Sequence, residues 1–98
     1  MTDRHEYVHT AGTRREDGTY VVSRRGADSA GNQQVFDSFE ALESLYADLP
    51  NQFDADAVGC QGAKITGSRR HMLVRHFVEH PAFDCRLVSR RPLEVVKR

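Results

Sequence analysis

The pattern of hydrophobic and polar residues over the first third of the chain predicts β-strands. Residues 19–23 combine β-branched and aromatic side chains, and residues 7–10 and 33–36 are shorter strand candidates. Between the candidates at residues 7–10 and 19–23, Asp17-Gly18 supplies residues that tolerate a positive φ, which predicts a turn over residues 13–18. The N-terminal part, residues 1–36, is therefore expected to form an antiparallel hairpin or a three-stranded sheet.

From residue 37 the hydrophobic period changes to that of helices. A first helix is predicted between Asp37, which has capping-box spacing to Glu40, and Pro50, which ends the helix. Its apolar side carries Phe39, Leu42, Leu45, Tyr46 and Leu49. A short helix is predicted to follow, with Asp54 as its N-cap and Gly59 at its exit.

A third helix is predicted to follow the cap candidates at residues 66–68 and to run to about His80, where Pro81 ends it, and a hairpin comes next. Helical spacing places one set of residues toward the interior: Arg70, Leu73, Val74, Phe77 and Val78. The same spacing places a second set toward the outside: Arg69, Met72, Arg75, His76 and Glu79. The hairpin pairs residues 83–88 with residues 93–97 around a turn at residues 89–92.

Length and composition favour a single soluble α+β domain over residues 1–98, with a β-rich part up to residue 36. A content of 39% hydrophobic and 29% charged residues is typical of globular chains. No apolar run approaches the ~20 residues of a membrane helix, and the charged N-terminus lacks the apolar stretch of a signal peptide. We therefore expect a cytoplasmic protein without membrane contact, in which Cys60 and Cys85 are free thiols.

The charged residues are distributed unevenly, although the formal net charge is zero. Residues 60–98 contain nine Lys or Arg and three acids, whereas residues 37–56 contain six acids and no base. Because the basic stretch includes the third helix and the hairpin, it favours a surface for a polyanion, namely nucleic acid. The pairs Arg14-Arg15 and Arg24-Arg25 would extend that surface if the N-terminal sheet lies near the C-terminal half.

The order of elements over residues 37–98 (helix, short helix, longer helix, hairpin) resembles a winged helix-turn-helix domain. In that family the third helix enters the major groove of DNA, and the hairpin wing contacts the adjacent backbone. The resemblance implies that residues 66–70, with Ser68, Arg69 and Arg70 among them, form the helix entry, where free amides and the helix dipole favour phosphate. It further implies that Arg69, Met72, Arg75 and His76 face the groove, and that the wing residues are Arg86, Arg90, Arg91 and Lys97.

Two further resemblances concern other parts of the chain. Residues 17–22 and 35–41 resemble the three-strand-plus-helix module of integrase arm-binding domains, which reads DNA through its sheet. The whole chain, especially residues 24–31 and 70–76, is similar to a small uncharacterised family from haloarchaea. The second resemblance implies no established activity.

These observations lead us to expect a small DNA-binding protein with double-stranded DNA as its partner. A more specific form of this hypothesis is a transcription regulator. RNA remains open as the nucleic acid, because readers of RNA shape need no diagnostic aromatic motif. The alternative is a protein-interaction or self-associating module, for example a homodimer, in which the acidic stretch of one copy meets the basic stretch of another.

Candidate metal and catalytic residues are present without a supporting motif. A zinc site could be assembled from Cys60, His76, His80 and Cys85, but structural roles are favoured for all four because the cysteines are not paired as in zinc fingers. A nuclease-like set could be assembled from His5, His9, His71, Arg75 and the acids, but no spacing supports it. We therefore expect no metal, no cofactor and no enzymatic activity.

Overall fold

Four strands, three helices and a second group of strands follow one another along the chain. The computed structural model describes residues 3–25, 33–61, 65, 68–90 and 93–98. The elements are β1 Asp3–Glu6, β2 Thr10–Arg14, β3 Tyr20–Arg24, β4 Gln33–Phe36, α1 Phe39–Asp48, β5 Gln52–Asp54, α2 Ala55–Gln61, α3 Ser68–Glu79, β6 Cys85–Arg90 and β7 Leu93–Lys97. The α+β class and the order from N-terminal sheet to helices to hairpin are confirmed, and β1 and β5 are additional strands.

The N-terminal sheet is antiparallel, with its strands in the order β1-β2-β3-β4. The predicted strand at residues 7–10 is wrong for residues 7–9, which form the connection between β1 and β2, whereas Thr10 begins β2. The predicted turn at residues 13–18 is confirmed around Gly18, which has a φ of 92°, but residues 13 and 14 belong to β2. Asp17 accepts hydrogen bonds from the hydroxyl (2.6 Å) and amide (3.0 Å) of Thr19, which lower the pKa of Asp17. The predicted loop at residues 26–32 lies outside the described residues.

The helix boundaries depend on side chains that cap free backbone groups. Ser38, not Asp37, is the N-cap of α1, and its Oγ accepts a hydrogen bond from the Ala41 amide at 3.2 Å. Asp54 caps α2 as predicted, accepting from the Ala57 amide at 2.9 Å. Gly59 lies inside α2 instead of at its exit. A Cβ at this position would overlap the guanidinium of Arg70, so the close packing of Arg70 requires glycine here.

The C-terminal sheet contains three antiparallel strands in the order β5-β7-β6. The predicted hairpin forms its β6 and β7, and β5 joins the free edge of β7, where Phe53 is paired with Val95. Strand β5 has only three residues, which is too short to show a period of two in the sequence.

Helix α3 is covered on two sides, because it contacts β2 and β3 of the first sheet as well as β6 and β7 of the second. One hydrophobic cluster joins both sheets through this helix. The sequence-predicted outer side of α3 is therefore wrong for two residues: Met72 is 4% exposed and His76 is fully buried. Among the described residues, no helix is long and apolar enough to cross a bilayer.

Candidate functional site

A buried polar cluster fastens α3 to the N-terminal sheet. The Nε2 atom of His76 lies 2.7 Å from the Tyr20 hydroxyl, and its Nδ1 atom lies 3.0 Å from Oγ1 of Thr10. The Thr10 hydroxyl donates its hydrogen to Oε1 of Glu79 at 2.8 Å. A hydroxyl has one hydrogen, so Thr10 must accept from His76 Nδ1, and Tyr20 must donate to His76 Nε2. The hydrogen-bond chain therefore assigns one tautomer to His76, with its proton on Nδ1.

The interior members of this cluster are neutral. Burial, with a smaller effect from the charge of His80, lowers the pKa of His76 to about 3. Burial also raises the pKa of Tyr20 above its usual range. Both side chains therefore keep the hydrogen-bonding pattern described above throughout the neutral pH range.

Glu79 is the charged end of the cluster, and its carboxylate receives four hydrogen bonds from two consecutive residues. Oε2 accepts from the His9 amide at 2.9 Å and lies 3.3 Å from His9 Nδ1, while Oε1 accepts from the amide (3.1 Å) and the hydroxyl of Thr10. Hydrogen bonds to a charged acceptor are the stronger kind. The last turn of α3 is therefore clamped to the first residue of β2.

Gly12 provides the space that this cluster needs. A Cβ at Gly12 would overlap the Tyr20 hydroxyl and lie 3.1 Å from Cε1 of His76. Gly12 is paired with Val22 in the sheet. The Tyr20 and His76 rings approach the backbone of β2 at Gly12, where the Cβ of any other residue would lie. Glycine at this position lets α3 come close enough for the Tyr20–His76 hydrogen bond.

A cleft of about 580 Å³ opens at the surface beside this cluster. One wall comes from the connection before β2 and the end of β3, and the other comes from residues 71–75 of α3. Among the described residues, the lining carries three arginines and two histidines but no acid: His9, Arg24, Arg25, His71 and Arg75. Met72, Thr10 and Val8 supply the less polar part of the lining. This basic cleft concentrates positive potential in a concave surface.

Two of the cleft arginines have uncommitted guanidinium groups. Within the described part of the chain, the side chains of Arg24 and Arg75 form no hydrogen bond or ion pair with another residue. Arg25 is partly committed, since its Nη1 donates to the Tyr7 carbonyl at 3.0 Å and its Nε lies 3.9 Å from Glu6. Arg24 and Arg75 are therefore the cleft residues best placed to bind an external anion.

The remaining sequence-predicted site residues lie elsewhere. Arg69 is half-buried, and Arg70 donates from Nε to the Ile65 carbonyl at 2.9 Å, which fastens the start of α3 to the segment before it. Lys97 donates to the carbonyls of Tyr46 (2.8 Å) and Leu49 (2.7 Å), so it caps α1 instead of lining a wing. Arg86 and Arg90 are exposed on β6, Ser68 begins α3, and Arg91 lies outside the described residues.

Among the described members of the predicted set, Met72 and Arg75 alone line the basic cleft. The condition stated for the Arg24-Arg25 pair is met, because the end of β3 does reach α3. Sequence reasoning missed Thr10, Tyr20 and Glu79 as members of the buried cluster. Gly12 was the available signal, since a glycine near strand residues often marks a close approach of another group.

The residues considered for zinc do not converge. Both ring nitrogens of His76 are used in hydrogen bonds, and Cys85 donates from Sγ to the Phe77 carbonyl at 3.3 Å. Burial raises the pKa of the Cys85 thiol, whereas Cys60 is exposed, and the two cysteines are free. In the part of the chain that the structure describes, no group of three or more His, Cys, Asp or Glu could hold a metal ion.

Comparison with known proteins places the chain in a family. No curated protein and no solved structure matches it. A family model described as "Family of unknown function (DUF7528)" matches residues 1–97, which include both sheets, α3 and every residue of the basic cleft. The expectation of an uncharacterised family is thereby confirmed, and the chain belongs to the DUF7528 family.

Proposed function

We propose that the protein binds nucleic acid through phosphate contacts in the basic cleft. The observation that carries this proposal is the convergence of Arg24, Arg25 and Arg75 with two histidines in a concavity whose described lining residues include no acid. The guanidinium group presents a planar set of donors that matches two phosphate oxygens. Contacts of this kind position a nucleic acid without reading its sequence, so the cleft supports general binding more than base recognition.

The proposed mode differs from that of a winged helix. Met72 and His76 are buried, and α3 is packed against both sheets, so this helix serves as a wall of the cleft and not as an element inserted into a groove. Arg75 and His71 reach the cleft from successive turns of that wall. The phosphate backbone would then lie across the gap between α3 and the end of β3.

The size of the cleft favours a single strand over a duplex. Its volume of about 580 Å³ falls in the range of sites that enclose a small ligand, on the scale of one or two nucleotides. A single strand can bend its backbone into such a space, whereas a duplex is stiff and wide. The proposed partner is therefore single-stranded RNA or DNA, with duplex DNA bound more weakly.

Fluorescence anisotropy with short labelled RNA, DNA and duplex DNA tests this function at about 50 mM and about 200 mM salt. The Arg24→Ala/Arg75→Ala variant is compared with Arg86→Ala/Arg90→Ala, which removes the same charge from the hairpin. We expect the cleft variant to lose most of the affinity and to reduce the salt dependence by about 0.7 per lost contact, in log–log slope. The hairpin variant should lose less.

Three results would contradict this proposal. Equal losses in the two variants would assign the affinity to overall charge and not to the basic cleft. Tighter binding of duplex than of single strands would contradict the single-strand mode. No binding by the wild-type protein, even at low salt, would leave the protein-interaction alternative, which static light scattering at several protein concentrations then tests.

A further inference from the structure

Two accessible imidazoles face the same basic cleft, and one of them, His9, is held by the carboxylate of Glu79, which is 12% exposed. We propose that the protein cleaves single-stranded RNA in this cleft, with His9 as general base and His71 as general acid. The inference rests on the proposed function, because the RNA backbone must first occupy the cleft. It departs from the expectation of a non-enzymatic protein, which was based on spacing along the sequence and not on proximity in the fold.

His9 is oriented by three separate contacts. The same Glu79 oxygen accepts from the His9 amide and pairs with His9 Nδ1, and the His9 carbonyl accepts from the Arg25 amide at 3.0 Å. A carboxylate at Nδ1 places the ring hydrogen on that atom, so Nε2 keeps its lone pair. A base whose other nitrogen is held by a third group is the arrangement that proton abstraction requires.

His71 and Arg75 supply the opposite side. They are four residues apart on α3 and therefore stand one above the other on the wall of the cleft. The partner-free guanidinium groups of Arg24 and Arg75 are available for the charge that develops on a phosphate as it is attacked. An imidazolium at His71 would be the proton donor to the leaving oxygen.

The nucleophile must come from the substrate. Within the described lining of the cleft, the one hydroxyl belongs to Thr10, which is 1% exposed and already donates to Glu79. RNA carries its own nucleophile, the 2′-hydroxyl next to the scissile phosphate, and intramolecular attack gains from proximity. DNA lacks this group, so the inference selects RNA.

The reaction balances without a cofactor. His9 Nε2 takes the proton of the 2′-hydroxyl as the 2′-oxygen forms a bond to phosphorus. The bond between phosphorus and the 5′-oxygen breaks, and His71 transfers its proton to that oxygen. The products are a 2′,3′-cyclic phosphate end and a 5′-hydroxyl end. Water then takes the proton from His9 and returns one to His71, which completes the cycle.

The test incubates the full-length protein with a short labelled RNA and with DNA of the same sequence. We expect cleavage of RNA only, with 2′,3′-cyclic phosphate ends. The cleavage rate should fall by at least about 100-fold in His9→Ala and in His71→Ala. The control Arg98→Ala changes an exposed residue outside the cleft and should cleave at the wild-type rate. Binding is followed separately with 2′-O-methyl RNA, and circular dichroism verifies the fold of each variant.

The outcomes separate this inference from the proposed function. Binding of 2′-O-methyl RNA without cleavage of RNA overturns the catalytic inference and leaves the binding function intact. Undiminished cleavage in both histidine variants overturns it as well, because the activity then belongs to a contaminating nuclease. Absence of RNA binding overturns the catalytic inference, and absence of binding to both RNA and single-stranded DNA overturns the proposed function as well.

Discussion

On the side of α3 that faces β6, Phe77 packs among aromatic rings, whereas on the side that faces β2, His76 and Glu79 form hydrogen bonds. The Phe77 ring centroid lies 4.9 Å from that of Phe83 and 5.1 Å from that of Tyr46. On the other side the contacts have donors and acceptors with assigned directions. One helix thus joins two sheets through two kinds of interaction.

The difference separates stability from positioning. Apolar burial is non-directional and scales with area, so the Phe77 side supplies free energy without fixing an exact register. The polar side contributes less net free energy but requires one register, because an unsatisfied buried donor or acceptor is costly. The basic cleft opens beside the polar side, so its two walls are held by the interface with the stricter geometry.

The largest expected effect is on the apolar side. Phe77→Ala should lower the free energy of unfolding by about 3–5 kcal/mol, because it removes a fully buried ring and leaves a cavity. This is a large part of the about 5–15 kcal/mol typical of a whole domain. Urea unfolding followed by circular dichroism measures it. A loss below about 1 kcal/mol would contradict the central position of Phe77 in the core.

The corresponding change on the polar side is Glu79→Ala, for which we expect a loss of about 2–3 kcal/mol. The carboxylate that accepts from His9 and Thr10 disappears, and the buried Thr10 hydroxyl loses its acceptor. Glu79→Gln retains one carbonyl acceptor and should lose less. Urea unfolding, with hydrogen exchange of the Thr10 amide, measures both. A change in the free energy of unfolding within about 0.5 kcal/mol, as at an ordinary surface site, would contradict the role of Glu79 in holding α3 against β2.

The two sides of α3 also differ in how far the sequence predicts them. Leu73, Val74 and Phe77 recur at helical spacing, and all three are fully buried. His76 and Glu79 are residue types common on exposed helix faces, so their spacing predicted solvent on the side that packs against β2. Periodicity reports one apolar stripe and carries no information about a polar side that a second sheet covers.

The basic cleft was predictable in sign but not in place. The charge excess over residues 60–98 indicated a basic surface, yet Arg24 and Arg25 come from the first third of the chain, where acids and bases balance. Their proximity to Arg75 depends on the packing of α3 against β3, a contact between residues about fifty positions apart. Helix caps at Asp54 and the Asp17-Gly18 turn were predictable because their causes are local.

Acid should weaken the polar side of α3 more than the apolar side, because the polar side contains the buried imidazole of His76. In the unfolded chain His76 takes up a proton below about pH 6.5, whereas the folded protein resists protonation of His76 until about pH 3. The unfolded state therefore binds more protons in that window, so this contribution to stability is complete above pH 6.5 and is lost as the pH falls. We expect a loss of about 2 kcal/mol from this residue between pH 7 and pH 5.

Urea unfolding at the two pH values measures the loss, and His76→Gln is the control whose dependence on pH should be weaker. The NMR chemical shifts of the His76 ring should stay constant over the same range. A His76 ring that titrates near its ordinary pKa would show that the imidazole is not enclosed between α3 and the N-terminal sheet.

A smaller effect is expected where β2 approaches His76. Gly12→Ala should cost about 1.5 kcal/mol, because the new methyl group overlaps the Tyr20 hydroxyl and must displace the ring. Removal of that hydroxyl in Tyr20→Phe relieves part of the overlap, so Gly12→Ala should cost at least about 0.5 kcal/mol less in the Tyr20→Phe background. A double-mutant cycle by urea unfolding measures the coupling, and strict additivity would contradict the close approach.

The smallest effect concerns Lys97, which the sequence placed on a nucleic-acid-binding wing and the structure places at the end of α1. Lys97→Ala should lower the free energy of unfolding by about 1 kcal/mol, because the carbonyls of Tyr46 and Leu49 lose their donor. The exposed Arg86→Ala variant, with the same loss of charge, should change stability by less than about 0.5 kcal/mol. Both are measured by urea unfolding and by RNA anisotropy. If Lys97→Ala kept full stability but lost as much RNA affinity as Arg24→Ala/Arg75→Ala, Lys97 would be a binding residue, and the interface would extend beyond the cleft at α3.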